Sequence, residues 1–326
     1  DSLNNYLKKL SPQCLAELRK KMIKTLLRMK SFYGNRLLGR YWRVILDGTS
    51  MYYFKEKHCD NCLVTTRTTK DGKSTKMYCH KVLEAKLVLS EKIVVSIDTE
   101  FMENEEENVQ KQDCETNAAK RLLDRLKQDY PRLPICIQAD NLYETQPMME
   151  LCHKNGFRYI LTHKESRQKN IGQSYQLFLE SGDAKTVMNV GAEKGMAVYV
   201  NHVEETVESE NTANIFEYSY TEEQEDEKIK TTKFQWITDI ELMKNNLEEM
   251  ISSARGRWKI ENEGFNNQKN GIYDIEHLNS RNTVAMKNHY LLTQIADIIM
   301  QLYLAWNPMR KAIKLSIKNT SSMLLE

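Results

Sequence analysis

The chain has 326 residues, 40% hydrophobic and 28% charged, which excludes global disorder and leaves material for one large domain or two ordinary ones. Its 47 Lys and Arg against 45 Asp and Glu leave a net charge of only +2, so bulk charge does not mark a nucleic-acid binder. Twelve glycines and five prolines disfavour a turn-rich all-β protein or a Rossmann-type loop architecture. The first residues do not read as a signal peptide, and the most apolar stretch, 290–306, carries Gln294, Asp297 and Gln301, so no membrane span is expected. The absence of an initial Met is compatible with a processed piece of a longer protein. Seven cysteines at uneven spacing do not make a secreted disulfide framework.

Charge is segregated along the chain. Residues 1–57 hold thirteen Lys/Arg against four Asp/Glu, whereas residues 204–227 hold ten acidic side chains and no Lys or Arg. Phosphates would be met near the first region and kept from the second, for which a solvent-facing loop is expected. Ser11-Pro12 predicts a helix start, and Leu15, Leu18, Met22, Ile23, Leu26 and Leu27 recur at helical spacing. Arg19, Lys20, Lys21, Lys24 and Arg28 fill much of the other face.

Tyr41 to Leu46 reads as a strand ending at Asp47-Gly48-Thr49, with Met51 to Phe54 as its hairpin partner. A polar cysteine-containing segment, 55–79, precedes extended runs at 82–89 and 92–97. A helix is predicted over 113–127, a strand over 134–139 ending at Asp140, a helix near 145–154 and a strand at 159–161. The resulting order, extended runs followed by alternating helices and strands, points to an α/β protein with parallel βα units. Residues 168–236 read as mostly β, with Tyr175–Leu179 and Ala197–Val200 as strand fragments and Trp236 in a core strand. A long helical pattern then follows Asp239, with a break near Gly256, and continues through Glu261 to Phe265. A final helix covers about 284–304, its apolar stretch read as packing.

Asp47 and Asp140 each follow a strand-like run, and Glu261 sits in a helical pattern with Arg257 one turn earlier on the same face. Three carboxylates from two strand ends and a helix suit Mg²⁺. Two such ions serve an in-line phosphoryl displacement. Periodicity alone does not select these three among 45 acidic residues, and an Asp after a strand is commonly a turn former. Asn262 and Asn266 share a face that can line the same site.

The run Arg257-Trp258-Lys259-Ile260-Glu261-Asn262-Glu263-Gly264-Phe265-Asn266-Asn267-Gln268-Lys269, followed by Gly271, Tyr273, Glu276 and His277, resembles the catalytic region of bacterial insertion-sequence transposases of the IS4-like DDE group. Further matching segments are Tyr41-Trp42 through Asp47-Gly48-Thr49, His80 to Leu87, Thr99-Glu100-Phe101, Lys111 to Glu115, and Asp140-Asn141-Leu142-Tyr143, in consistent order over residues 1–305. The resemblance implies an RNase H-like mixed sheet with flanking helices and a β-rich insertion before the helix bearing the catalytic glutamate. It places Asp47 and Asp140 as the catalytic aspartates, Glu261 as the glutamate of the family's tyrosine, arginine, glutamate, lysine signature, and Arg257 as its arginine, a phosphate contact. Two positions depart: 254 is Ala where tyrosine is expected, and 268 is Gln where lysine is expected, leaving Lys269 one residue late as the second phosphate contact.

Five side chains can form a structural Zn²⁺ site: His58, Cys59, Cys62, Cys79 and His80, with sixteen residues between Cys62 and Cys79. Cys59 and Cys62 form the best pair. His80 is favoured over Cys79 because it lies in a matching segment, and His58 and Cys79 stay as alternatives. The expected organisation is a basic helical region over 1–40, a first core part over 41–166 with the cysteine insertion at 55–80, the insertion over 167–236, a second core part over 237–305 and a basic tail over 306–326 bearing Arg310, Lys311, Lys314 and Lys318. The resemblance implies a bacterial cytoplasmic DNA transposase with two Mg²⁺ (or Mn²⁺) ions per site, acting on double-stranded DNA at element ends and target as a homodimer, with no membrane partner. A nuclease without strand transfer and a non-catalytic transposase-derived DNA-binding protein are the alternatives.

Overall fold

The computed structural model describes residues 2–57, 59–68, 71–104, 111–164, 169–204, 212–223, 229–260, 268–269 and 273–306, with Asn319 and Ser322. The chain is α/β, with mixed parallel and antiparallel strands flanked by helices. It divides into two compact units: Asp1–Asn35, Leu46–Pro131 and Ile260–Glu326 form unit 1, and Arg36–Ile45 with Arg132–Lys259 form unit 2. Strand β1 (Trp42–Phe54) contributes residues to both.

Unit 1 contains α1 (Ser2–Leu7), α2 (Pro12–Arg28), β2 (Leu63–Thr68), β3 (Ser74–Ser90), β4 (Ile93–Met102), α3 (Glu115–Asp129) and α7 (Thr283–Trp306). Strand β3 pairs antiparallel with β2 over Ser74–Cys79 and with β4 over Lys81–Ser90. Val82 to Leu89 are buried on both faces, so this stretch of sheet is covered on both sides. Helix α3 supplies a stripe of Ala118, Ala119, Leu122, Leu123 and Leu126, and α7 lies against β4 and α2.

Helix α2 buries Leu15, Arg19, Ile23 and Leu26, so one cation occupies the middle of its apolar stripe. Arg19 donates to Ser96 at 2.9 Å and to Asp98 at 3.0 Å, and also to Thr99. Ser96 and Thr99 in turn donate to the fully buried Glu84. Burial raises the Glu84 carboxyl, opposed by Lys86 and Arg19. Lys20 pairs with Glu17 and Asp129, and Lys24 lies over the Tyr130 ring. Much of the expected basic surface of α2 is thus engaged within the protein.

Unit 2 contains β5 (Ile135–Ala139), α4 (Gln146–Asn155), β6 (Arg158–Thr162), α5 (Lys169–Ser181), β7 (Lys185–Val190), β8 (Gly195–Glu204), β9 (Thr212–Glu223), β10 (Ile229–Thr238) and α6 (Leu247–Ile260). Its strand order is β1-β5-β6-β10-β9-β8-β7. The β1–β5 and β5–β6 pairs are parallel, and every pair from β6–β10 onward is antiparallel. Leu247, Met250, Ile251 and Ala254 of α6 pack with Tyr199, Phe216, Tyr218 and Trp236, which makes Trp236 the core residue its alternation predicts.

Four sequence expectations are corrected. Asp47-Gly48-Thr49 is not a turn: β1 runs through it unbroken, so Met51–Phe54 continues the strand. Gly48 serves a close approach instead, because a Cβ there would lie 2.5 Å from Glu115 Cδ. Tyr175–Leu179 belongs to helix α5, which buries Ile171 and Tyr175 one turn apart. Helix α6 begins at Leu247 and passes through Gly256 without a break. The polar segment after Phe54 is ordered as a hairpin, which adds a strand before α3. Of the acidic run, Glu222 and Glu223 are exposed in β9 and Glu217 is buried, while 205–211 and 224–228 lie outside the described residues. The tail cations Arg310, Lys311, Lys314 and Lys318 also lie outside them.

Candidate metal centre and acidic positions

Cys59 and Cys62 flank a short turn leading into β2, and His80 lies on β3 just beyond the last β2–β3 pair, Leu63↔Cys79. The sulfurs are 3.4 Å apart, and His80 Nε2 lies 3.4 Å from Cys59 Sγ and 3.7 Å from Cys62 Sγ. A disulfide needs sulfurs about 2.05 Å apart. Tetrahedral zinc, with bonds of about 2.3 Å to sulfur and 2.0–2.1 Å to nitrogen, spaces its ligands by roughly 3.6–3.8 Å. The observed spacings fit the second arrangement. Among the described residues, this is the one group of three or more His, Cys, Asp or Glu whose ligand atoms all lie within 4.8 Å of one another.

Alternation along β3 separates the two rival ligands: Cys79 and His80 are adjacent, so their side chains leave opposite faces, and His80 faces the thiols. Cys79 is buried outside the trio, and His58 lies outside the described residues. Asn104 donates its side-chain amide to the Cys62 carbonyl at 2.9 Å, and Asn61 donates its own to the Asn104 carbonyl at 2.9 Å, which fixes the turn. Burial pushes the Cys59 thiol up to about 11, and Cys62 adds to that rise. The Asn61 backbone and the Thr283 hydroxyl pull the other way. A metal ion would hold these sulfurs as thiolates and satisfy them where burial alone does not. Thr283, the first residue of α7, is a contact that sequence reading did not anticipate; nothing in the spacing announces it.

The acidic positions are differently placed. Asp47 is half-buried within β1 and Asp140 half-buried just after β5. Asp140 Oδ1 accepts the Leu142 N–H at 2.8 Å and its carbonyl accepts the Tyr143 N–H at 3.2 Å, so this residue does form a turn. Glu261, Asn262, Glu263 and Asn266 lie outside the described residues, and no three-carboxylate group closes among those described. Arg257 is half-buried on α6. Lys269 pairs with Glu276 at 3.2 Å. The two departing positions are both interior: Ala254 joins the core of unit 2, while Gln268 in unit 1 donates to Gln294 at 3.1 Å and Asp297 at 2.9 Å.

Two further acidic groups carry local structure. The Glu115 carboxylate lies over Gly48, beside Asp47 in sequence; a Glu that ends a matching segment in the first turn of a helix was its only signal. Glu144 and His163 form a fully buried hydrogen-bonded pair, and Glu144 also accepts the Lys164 N–H at 3.1 Å. This pair ties the turn after Asp140 to the end of β6. No sequence pattern marks it, because the partners are nineteen residues apart.

No protein-family model matches the chain, and no curated protein matches it. Among the described residues no helix is long and apolar enough to cross a membrane.

Proposed function

We propose that the protein is a DNA transposase of the DDE type, which cleaves and joins phosphodiesters at element ends. The observation that carries this reading is strand register. β1 and β5 run parallel, paired from Trp42↔Ile135 to Ile45↔Gln138. Asp47 and Asp140 each follow the last of these pairs by two residues. Asp140 stands just past the C-terminal end of β5, where open α/β sheets hold ligands, whereas Asp47 lies within the continuing strand β1.

Two Mg²⁺ ions, or Mn²⁺ in their place, on the hard carboxylate oxygens of Asp47, Asp140 and Glu261 would supply Lewis acidity at the scissile phosphate. The Leu142 N–H orients the Asp140 carboxylate by occupying Oδ1. Arg257 would clamp a backbone phosphate through its guanidinium fork. Water displaces the 3′ oxygen from phosphorus, and the freed 3′-hydroxyl then displaces a 3′ oxygen of target DNA. Joining exchanges one phosphodiester for another, so it needs no separate energy source. Two ends must meet, which calls for a homodimer on double-stranded DNA.

A non-catalytic DNA-binding protein is the second reading, favoured by Ala254, Gln268 and the turn-forming hydrogen bond of Asp140. Labelled duplex incubated with Mg²⁺ and supercoiled target separates the two. The transposase reading expects nicked and joined products that Asp140→Ala reduces by two orders of magnitude or more with binding retained. Binding to native end sequence without cleavage would favour the second reading, and cleavage without joining would favour a nuclease.

A further inference from the structure

We infer that the β2–β3 hairpin, clamped at its root by a zinc ion on Cys59, Cys62 and His80, is a basic ribbon that seats in the major groove of duplex DNA. The inference rests on the DNA-processing reading above and names a surface for it.

The hairpin is graded from root to tip. Cys62, Leu63, Cys79 and His80 are buried, whereas Thr66–Thr68 and Asp71–Lys76 are exposed. Its strands stay paired from Leu63↔Cys79 out to Thr68↔Ser74, so the exposed part is a regular two-stranded ribbon. At the root, Gln112 brackets Val64 on the outer strand, accepting its N–H and donating to its carbonyl at 3.1 Å. Residues 63–78 carry Arg67, Lys70, Lys73 and Lys76 against the single acid Asp71, together with Thr65, Thr66, Thr68, Thr69, Ser74 and Thr75 as small hydroxyl donors.

Arg67 and Lys76 leave opposite faces of the ribbon, since their cross-strand partners are Thr75 and Thr66 in successive pairs. Arg67 lies over Tyr53 at 5.6 Å and Lys76 over Tyr78 at 5.3 Å. An aromatic face orients a cation without neutralising it. Charge on both faces suits a groove with a phosphate wall on each side, and the B-DNA major groove admits a two-stranded ribbon. The deep, narrow major groove of duplex RNA does not. By contrast, Arg19, Lys20 and Lys24 of α2 are engaged within unit 1. An isolated two-stranded hairpin is marginal in water, and a metal at its root makes it a fixed element.

The test is equilibrium binding of the full chain to a labelled random-sequence DNA duplex without Mg²⁺, across a salt series. It compares the parent, Arg67→Ala/Lys73→Ala/Lys76→Ala, the charge-keeping Arg67→Lys/Lys73→Arg/Lys76→Arg, and Cys59→Ser/Cys62→Ser. The alanine variant should lose about three from the slope of log affinity against log salt, and the charge-keeping variant should retain it. The serine variant should lose one bound zinc per chain, by elemental analysis, together with part of the same slope. Unchanged slope in the alanine variant, equal competition by duplex RNA, or no duplex binding by the parent would each overturn the ribbon. Zinc loss with unaltered binding would overturn the clamp. A parent that binds through the ribbon but never cleaves would sink the transposase reading while leaving this inference standing. Cleavage that survives the alanine substitutions at full affinity would do the reverse.

Discussion

Two hairpins of the molecule are opposite in character. In unit 1, β2–β3 has a basic exposed half above two thiols and an imidazole. In unit 2, β9–β10 has an acidic end, with Glu222↔Lys230 and Glu223↔Ile229 as its last pairs, above a stack of rings. Trp236 lies 5.1 Å from Phe216 and 5.8 Å from Phe234, its plane nearly parallel to the latter's at 8°. Arg255 of α6 covers Tyr218, Tyr220 and Phe234 and makes two 2.8 Å bonds to Glu193. Aromatic rings stabilise a hairpin root by burial alone. A buried and a half-buried thiol with an imidazole contribute less in that way, and their mutual spacing of 3.4–3.7 Å is what suits this root to a metal.

The largest effect should come from the aromatic root. Trp236→Ala should cost about 3–5 kcal/mol in urea denaturation, because a nearly fully buried indole leaves a cavity between two rings. A loss below 1 kcal/mol would mean that the stack does not hold the hairpin.

The Glu193–Arg255 clamp should contribute less, about 1 kcal/mol, since both side chains remain partly exposed. Arg255 holds the Glu193 carboxyl down at about 2, from an ordinary 4.5. A depressed acid contributes its stability above the unfolded value and loses it as pH falls through the folded one. Parent and Glu193→Gln should therefore differ above about pH 4.5 and converge towards pH 2. A constant difference over that window would assign the effect to packing.

The smallest effect belongs to the acidic end. Glu222→Gln/Glu223→Gln should raise duplex affinity by no more than about threefold, as removal of exposed, salt-screened like charge would. A loss of binding would reverse the assignment of the two hairpins.

Most helices and the parallel core strands were legible because their patterns are local. The α3 stripe, the Pro134-to-Asp140 strand and Trp236 in its alternating context all carry their own periodicity. Errors fell where a local signal served a distant partner. Gly48 reads as a turn because the Glu115 carboxylate that needs its bare Cα comes from another element. Tyr175–Leu179 reads as a strand because a five-residue run, apolar but for Gln176, fits either period until Ile171 is counted with it. The Cys59–Cys62–His80 trio was legible as a pair of cysteines with several partners, and the facing of β3 chose His80 among those described. Arg19 sat among surface cations in sequence; only the carboxylate of Asp98 and the hydroxyls around Glu84 explain its burial.

The most direct test of the proposed chemistry is a metal-specificity switch at Asp140. A thiolate binds Mg²⁺ poorly and accepts the softer Mn²⁺. Strand cleavage by Asp140→Cys should be lost in Mg²⁺ and partly restored in Mn²⁺, with duplex binding equal to the parent in both. Full activity in Mg²⁺, or no recovery in Mn²⁺ from a variant that still binds, would contradict a metal-binding role for Asp140.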